Sequence, residues 1–260
     1  MTKTNISGNR VMILILGQKG GVGKSALAEL VISIIREGGH IVAAFDADSA
    51  VSSLYQKLAL RDANGNFLTE QDPTKGVVRY NARDEHEAPL LVNWLETSVP
   101  RAVHDLPGGS RDEFAKLLGA GADGSLGELL DLLEEMDCRL VVLHPVTGDV
   151  ANINSQLNTL NAFGDRANHV AVVNRAFQST DNDIMPWRTS RTRKRLLDQG
   201  GREIELSALN PDIFQKLKAG HQPLMSDGIG AKLTLLDRQR LKIFQRDFLC
   251  EFSKIEDWVI

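Results

Sequence analysis

Lysine, serine and glycine stand together in this chain at the spacing that holds a phosphate chain. The stretch Gly17-Gln18-Lys19-Gly20-Gly21-Val22-Gly23-Lys24-Ser25 follows directly on the apolar run Val11 to Leu16. It reads as a strand passing through a glycine-rich turn into a helix. Glycines at 20, 21 and 23 let consecutive backbone N–H groups curl around an anion without Cβ clashes, and the helix opening near Lys24 adds the positive end of its dipole. Gly20, Gly21, Val22 and Gly23 would then cradle phosphate through the backbone. Lys24 would reach the β- and γ-phosphates, and the Ser25 hydroxyl would hold a Mg²⁺ bridging them.

Such a loop works only if strands and helices fix it. Short β-branched runs alternate with helical stretches along most of the chain, the pattern of a mostly parallel sheet with helices on both faces. The runs predict strands over 11–16, 40–45, 76–80, 101–105, 139–144, 169–173 and 203–207. Helices are predicted over 26–36, 87–96, 112–118 and 126–136, with Pro186 opening a basic helical stretch that closes at Gly200-Gly201 and Pro211 opening another over 212–218. Residues 60–75 read as a loop. In an open parallel sheet, ligands sit beyond the carboxyl ends of the strands, so polar residues there are the ones to weigh. Asp46 and Asp48, Asp105, Asn174 and the turn at Asn210-Pro211 all stand just past a strand.

The strict phosphate-loop pattern wants glycine where this chain has Gln18. A lysine at position 19 followed by Gly-Gly-x-Gly-Lys-Ser resembles the deviant loop of the ParA/MinD family of dimerising ATPases, a P-loop NTPase fold. The resemblance extends over about residues 11–218. Phe45-Asp46-Ala47-Asp48-Ser49 is similar to the family's D-x-D element, which implies that Asp48 orients and activates the attacking water while Asp46 helps to position Mg²⁺ or the loop. Asp105-Leu106-Pro107-Gly108-Gly109 is similar to its D-x-P-x-G element. That implies Mg²⁺ held through a water by Asp105, and a backbone N–H offered to the γ-phosphate by Gly108 or Gly109. The family reads the adenine edge with an asparagine at the place of Asn174, and its backbone contacts the base near Pro211. Lys19 would cross to the partner's phosphates within an ATP-bound homodimer.

Composition bounds the alternatives. The chain has 260 residues and a formal net charge of -4, so it has room for one large α/β domain and no global attraction to nucleic acid or anionic membrane. Cys138 and Cys250 lack C-x-x-C partners and read as buried thiols. No apolar run is long enough for a membrane span and the first ten residues are polar, which points to a cytoplasmic protein. The expected organisation is a flexible arm over 1–10, an ATPase domain over 11–232 and an amphipathic helical segment over 233–260. In that last segment Leu241, Phe244, Phe248, Phe252, Ile255 and Val259 recur at spacings of three and four. The stripe is expected to pack on the domain. Asp237, Asp247, Glu251, Glu256 and Asp257 offset its basic residues and argue against membrane binding.

The resulting expectation is an ATP- and Mg²⁺-dependent dimerisation switch with slow hydrolysis. Leu235 to Ile243 and the long segment after Asn174 resemble the plasmid conjugal-transfer proteins called TraL, which implies a role in the transfer, partition or maintenance of mobile DNA. A small-molecule kinase or ATP-dependent ligase of the same fold, similar to dethiobiotin synthetase, stays open, as does a nucleotide-sensing adaptor with negligible turnover. In the basic run Arg188, Arg191, Arg193, Lys194 and Arg195, the residues Arg188, Arg191 and Arg195 would share one helix face. The run could grip duplex phosphates, or dock an acidic partner, or simply be solvated.

Overall fold

A computed structural model describes residues 10–17, 20–48, 52–108, 126–177 and 180–260. Seven strands form one sheet in the order β3-β2-β4-β1-β5-β6-β7. They are β1 Arg10–Ile15, β2 Ala43–Asp46, β3 Val78–Arg79, β4 Arg101–Asp105, β5 Cys138–Val146, β6 Asn168–Asn174 and β7 Arg202–Leu206. All pairings are parallel. β1 is central, with Ile13 opposite Val103 of β4 and Val141 of β5.

The near-continuous apolar run of β1 follows from that position, because the two faces of the sheet are covered. Alternation sends Val11, Ile13 and Ile15 into one core and Met12, Leu14 and Leu16 into the other. Every strand expected from the sequence forms. The second starts later than its apolar run suggests, and Ile41, outside β2, is 57% exposed. The edge strand β3 keeps only two residues.

The described helices are α1 Lys24–Glu37, α2 Ser53–Leu58, α3 Leu90–Asn93, α4 Leu126–Glu135, α5 Val150–Phe163, α6 Asp181–Arg188, α7 Arg191–Asp198, α8 Pro211–Ala219, α9 Leu235–Phe252 and α10 Glu256–Val259. The helix expected over 112–118 and nearly all of the arm expected over 1–10 lie outside the described residues. Pro186 does not open a helix. Thr180 accepts from the Asp183 N–H while the Asp183 carboxylate accepts from the Thr180 N–H, a capping box that starts α6 earlier and leaves Pro186 inside it. Ser190 then caps a separate helix, α7, by accepting from the Arg193 N–H at 3.0 Å. Arg188 and Arg191 therefore belong to different helices.

In the C-terminal segment, Leu241, Phe244, Phe248 and Phe252 on α9 and Ile255 and Val259 beyond it are buried in the core that holds Ile13. Cys250 lies off that stripe and is exposed, while Cys138 is buried, so only one of the two cysteines is the buried thiol expected. Arg101 donates to the Val259 carbonyl at 3.1 Å, Arg139 to that of Asp257 at 2.8 Å and Arg202 to that of Lys254 at 2.7 Å. Arg101 and Arg202 begin β4 and β7 and Arg139 is the second residue of β5, so the C-terminus is tied to the end of the sheet opposite the glycine loop. No helix among the described residues is long and apolar enough to cross a membrane.

Candidate functional site

The glycine loop leaves the carboxyl end of β1 and ends in α1. Gly21 and Gly23 have φ of +80° and +95°, in the left-handed region where a side chain is strained. A Cβ on Gly23 would also meet the Asn174 amide nitrogen at 2.5 Å. Glycine is thus demanded twice at position 23, by backbone conformation and by contact. The Asn174 side chain at the end of β6 donates to the Val22 carbonyl at 3.0 Å and accepts from the Ala176 N–H at 3.0 Å, bracing the loop from behind.

Lys24 opens α1 and is only 8% exposed. Burial pulls its ammonium below the usual lysine range, against the attraction of Asp105 and Asp48. The Ser25 hydroxyl donates to the Asp105 carboxylate at the end of β4. Burial, reinforced by the Asp46 carboxylate, pushes Asp105 up to about 7. Its Oδ1 is buried and has no hydrogen-bond partner. Asp46 closes β2 and rises to about 6 through burial. Its Oδ1 accepts the Asp48 N–H at 3.1 Å and its Oδ2 the Tyr55 N–H at 2.9 Å, so it organises the turn that carries Asp48.

Gly20, Gly21, Gly23, Lys24, Ser25, Asp48 and Asp105 line a single cleft of about 790 Å³. Beside it a crevice of about 300 Å³ is bounded by Asn174 and Pro211, the latter opening α8 behind the Asn210 cap. The glycines and Lys24 supply an anion cradle. The orphaned Asp105 oxygen, next to the Ser25 hydroxyl, is a hard oxygen donor of the kind Mg²⁺ takes. Among the described residues no group of three His, Cys, Asp or Glu side chains could cage a metal. The Ser25 hydroxyl and the Asp105 oxygen are the kind of protein donors with which Mg²⁺ is commonly held, one or two oxygens together with substrate phosphates. Gly108 lies at the end of the Asp105 turn, its carbonyl accepting from Arg83 at 3.3 Å. Lys19 and Gly109 lie outside the described residues.

The structure brings in residues that sequence reading missed. Gln56 and Lys57 of α2, Phe214, Gln215 and Lys218 of α8, and His221 also line the cleft. Glu29 of α1 is fully buried, where it accepts from Lys57 and from the Leu224 N–H at 2.5 Å. Burial raises its carboxyl. Apart from Glu29, no local pattern marks these residues, which meet only through packing of α1, α2, α8 and the segment after it. One local signal was available for Glu29: a carboxylate one turn beyond Ser25, on a helix that is otherwise apolar.

The basic run is less free than its sequence suggests. Arg193 donates to Glu203 at 2.8 Å, as does the Trp187 indole at 2.7 Å, while Arg188 approaches Asp181 at 3.4 Å. Lys194 pairs with Asp198 at 2.7 Å. Arg191 and Arg195 are exposed on α7.

A profile of the CobQ/CobB/MinD/ParA nucleotide binding domain matches residues 13–186. The fold is similar to that of the MinD cell division ATPase of Pyrococcus furiosus, with a TM-score of 0.54 and 16% identity over 90% of this chain and 99% of that one. MinD of Pyrococcus horikoshii OT3, complexed with Mg-ADP, gives 0.55 and 13% identity over 92% and 95%. Cyanothece McdA in complex with ATP gives 0.53 and 11% over 93% and 97%. No curated protein sequence matches the chain.

Proposed function

The chain belongs to the CobQ/CobB/MinD/ParA nucleotide-binding family, and on that premise we propose that it is an ATP-driven dimerisation switch. The observation that carries this reading is the set formed by Lys24, Ser25 and Asp105: a buried ammonium, a hydroxyl and a carboxylate oxygen without a partner, all beneath the left-handed glycine loop. A buried carboxylate oxygen without a partner is costly, and a cation held there beside a bound polyphosphate would satisfy it. Mg²⁺ held by Ser25 and Asp105 would supply charge neutralisation to the phosphates.

This chain's own residues divide the remaining work. The loop N–H groups and Lys24 hold the phosphates, and Ser25 and Asp105 hold the metal side. Asp48, fixed by Asp46, orients the attacking water and takes its proton. Lys19 of each copy reaches the phosphates of the other, a charge supplied in trans. The Mg-ADP and ATP complexes of the two structural relatives support the choice of nucleotide. Resemblance of the closing segment to conjugal-transfer proteins supports a role on mobile DNA, with Arg191, Lys194 and Arg195 as the phosphate-gripping face.

Gel filtration of the full chain with ADP, with ATP and with a non-hydrolysable ATP analogue, run beside a phosphate-release assay, tests the reading. A dimer confined to the two triphosphate states, with slow release of phosphate from ATP, is expected. Tight ATP binding by a permanent monomer would overturn the switch and favour a small-molecule kinase or ligase of the same fold.

A further inference from the structure

Lys57 ties α2 to two other walls of the cleft at once. It pairs with Glu29, which stands on α1 one turn beyond Ser25 and is fully buried, and the lysine side chain is itself largely buried. The other Glu29 oxygen accepts the Leu224 N–H at 2.5 Å. Leu224 is held in turn by Gln245 of α9, whose amide donates to the Leu224 and Ser226 carbonyls at 2.8 Å each. On its second side, Lys57 Nζ lies 4.9 Å from the centroid of the Phe214 ring on α8. A buried ion pair adds little net stability, because desolvation offsets the attraction, yet it holds its elements in the one arrangement that pairs both charges. The six-residue α2 depends on such contacts, being too short to persist as a helix alone. Its near end carries the Asp48 turn, where the Ser52 N–H donates to the Asp48 carbonyl at 2.7 Å and the Tyr55 N–H to Asp46 at 2.9 Å. Ser52 has a φ of +47°, a left-handed conformation that a serine keeps only where the surrounding structure imposes it.

We propose that Lys57 is a positioning residue for Asp48: clasped between Glu29 and Phe214, it fixes the far end of α2 and so sets the turn from which Asp48 enters the cleft. The inference rests on the hydrolytic reading of Asp48 given above. Lys57 touches no phosphate in this role. Its charge acts on α2, and α2 acts on Asp48 through the two backbone hydrogen bonds at Ser52 and Tyr55. Removing the clasp therefore loosens those two amides first, while the sheet, whose core lies elsewhere, keeps its own contacts.

Amide hydrogen exchange on the ligand-free full chain, read residue by residue by NMR, tests the clasp, with ATP binding and turnover measured beside it. The informative variant carries Glu29→Gln and Lys57→Met together, because no charge is then buried and the side chain at 29 can still accept the Leu224 N–H. The Ser52 and Tyr55 amides should exchange about tenfold faster than in wild type, the scale of one hydrogen bond to a charged group. Amides of the central strand β1 should keep their wild-type rates. Turnover should fall about 10- to 10²-fold, the scale of a misplaced catalytic group, with ATP affinity held within about threefold. Should the double variant not fold, Lys57→Met alone carries the same expectation for Ser52 and Tyr55 relative to β1, since the buried Glu29 then takes a proton. Ser52 and Tyr55 amides that exchange as in wild type overturn the clasp, as does equal acceleration in β1, the mark of a pair that only stabilises. Faster exchange with unchanged turnover overturns the link to Asp48. Wild-type protein that bound ATP and did not hydrolyse it would overturn the hydrolytic reading, while the exchange rates still decide the clasp.

Discussion

Asp46 accepts the backbone N–H of Asp48 at 3.1 Å, so one aspartate of the pair sets the position of the other. Its second oxygen takes the Tyr55 N–H at the start of α2. A pair that looks equivalent in sequence is therefore split into a buried organiser and a group that lines the cleft.

That division gives different outcomes for two substitutions. Asp48→Ala should bind ATP normally and hydrolyse it about 10²- to 10⁴-fold more slowly, accumulating as a dimer. Asp46→Ala leaves two backbone donors without their acceptor and should lower unfolding stability by about 1–3 kcal/mol at pH 4, where the buried carboxyl is neutral, and lower turnover at neutral pH. Denaturant titration beside a turnover assay distinguishes them, and equal stability for the two variants at pH 4 would contradict the organising role of Asp46.

Lys24→Ala should abolish tight ATP binding, because it removes the cation facing the phosphates in a preformed loop. Lys19→Ala should retain nucleotide and lose both ATP-dependent dimerisation and hydrolysis. Gel filtration in which Lys19→Ala dimerises as wild type does would end the proposal of a lysine acting in trans.

Asp105→Asn should separate stability from function. The folded-state value of about 7 lies above that of an unfolded aspartate, so the stability contributed by this group is present in acid and lost as pH rises through about 7. At pH 7.5 the nucleotide-free variant, which carries no charge there, should be more stable than wild type by a few kcal/mol, on the order of 1.4 per unit of raised pKa. The gap should close as pH falls towards 4. Its response to Mg²⁺ in nucleotide binding should vanish. Thermal unfolding across this range in the absence of ligand is the measurement, and a variant less stable than wild type at pH 7.5 would refute the argument.

His144 and His169 form a buried pair at 2.9 Å across β5 and β6, and burial, with the neighbouring ring, holds His144 well below the usual imidazole range. A depressed imidazole contributes stability above the unfolded value of about 6.5 and loses it as pH falls, at up to about 1.4 kcal/mol per pH unit. His144→Gln should be less stable than wild type at pH 7.5, and that deficit should shrink as the buffer is taken to pH 5. Chemical denaturation at the two pH values reads the difference. A deficit independent of pH would show that His144 titrates alike in the folded and unfolded chain.

The α7 surface gives a test of nucleic-acid binding that spares the fold. Arg193 is held by Glu203, so changing it confuses structure with charge. Replacing Arg191, Lys194 and Arg195 by Glu should abolish duplex DNA binding by the ATP-bound dimer while leaving hydrolysis intact. Wild-type affinity should fall steeply with salt. Fluorescence anisotropy at low salt that detects no binding by the wild-type ATP dimer would assign this face to another use.

The sequence by itself determined the sheet and the loop, because both are local. Val11 to Leu16 is apolar at every position, as a strand buried on both faces requires, and the three glycines and Lys24-Ser25 carry their geometry in the adjoining backbone. Helix α5 was not legible. Asn152, Asn154, Gln156, Asn158 and Asn161 dilute its apolar pattern. Two of these amides are buried all the same, Asn152 accepting from the Thr147 N–H and Gln156 donating to the Pro145 carbonyl. The break between α6 and α7 was hidden for a related reason, since Pro186 looked like a helix start until the caps at Thr180 and Ser190 were in place. Tertiary structure alone decided which polar groups are committed and which are free. Asp46 gives both carboxylate oxygens to backbone N–H groups, whereas Asp105 keeps an orphaned oxygen. Residue type fixes what a side chain can donate or accept, but only the packed chain fixes whether a neighbour has already taken it.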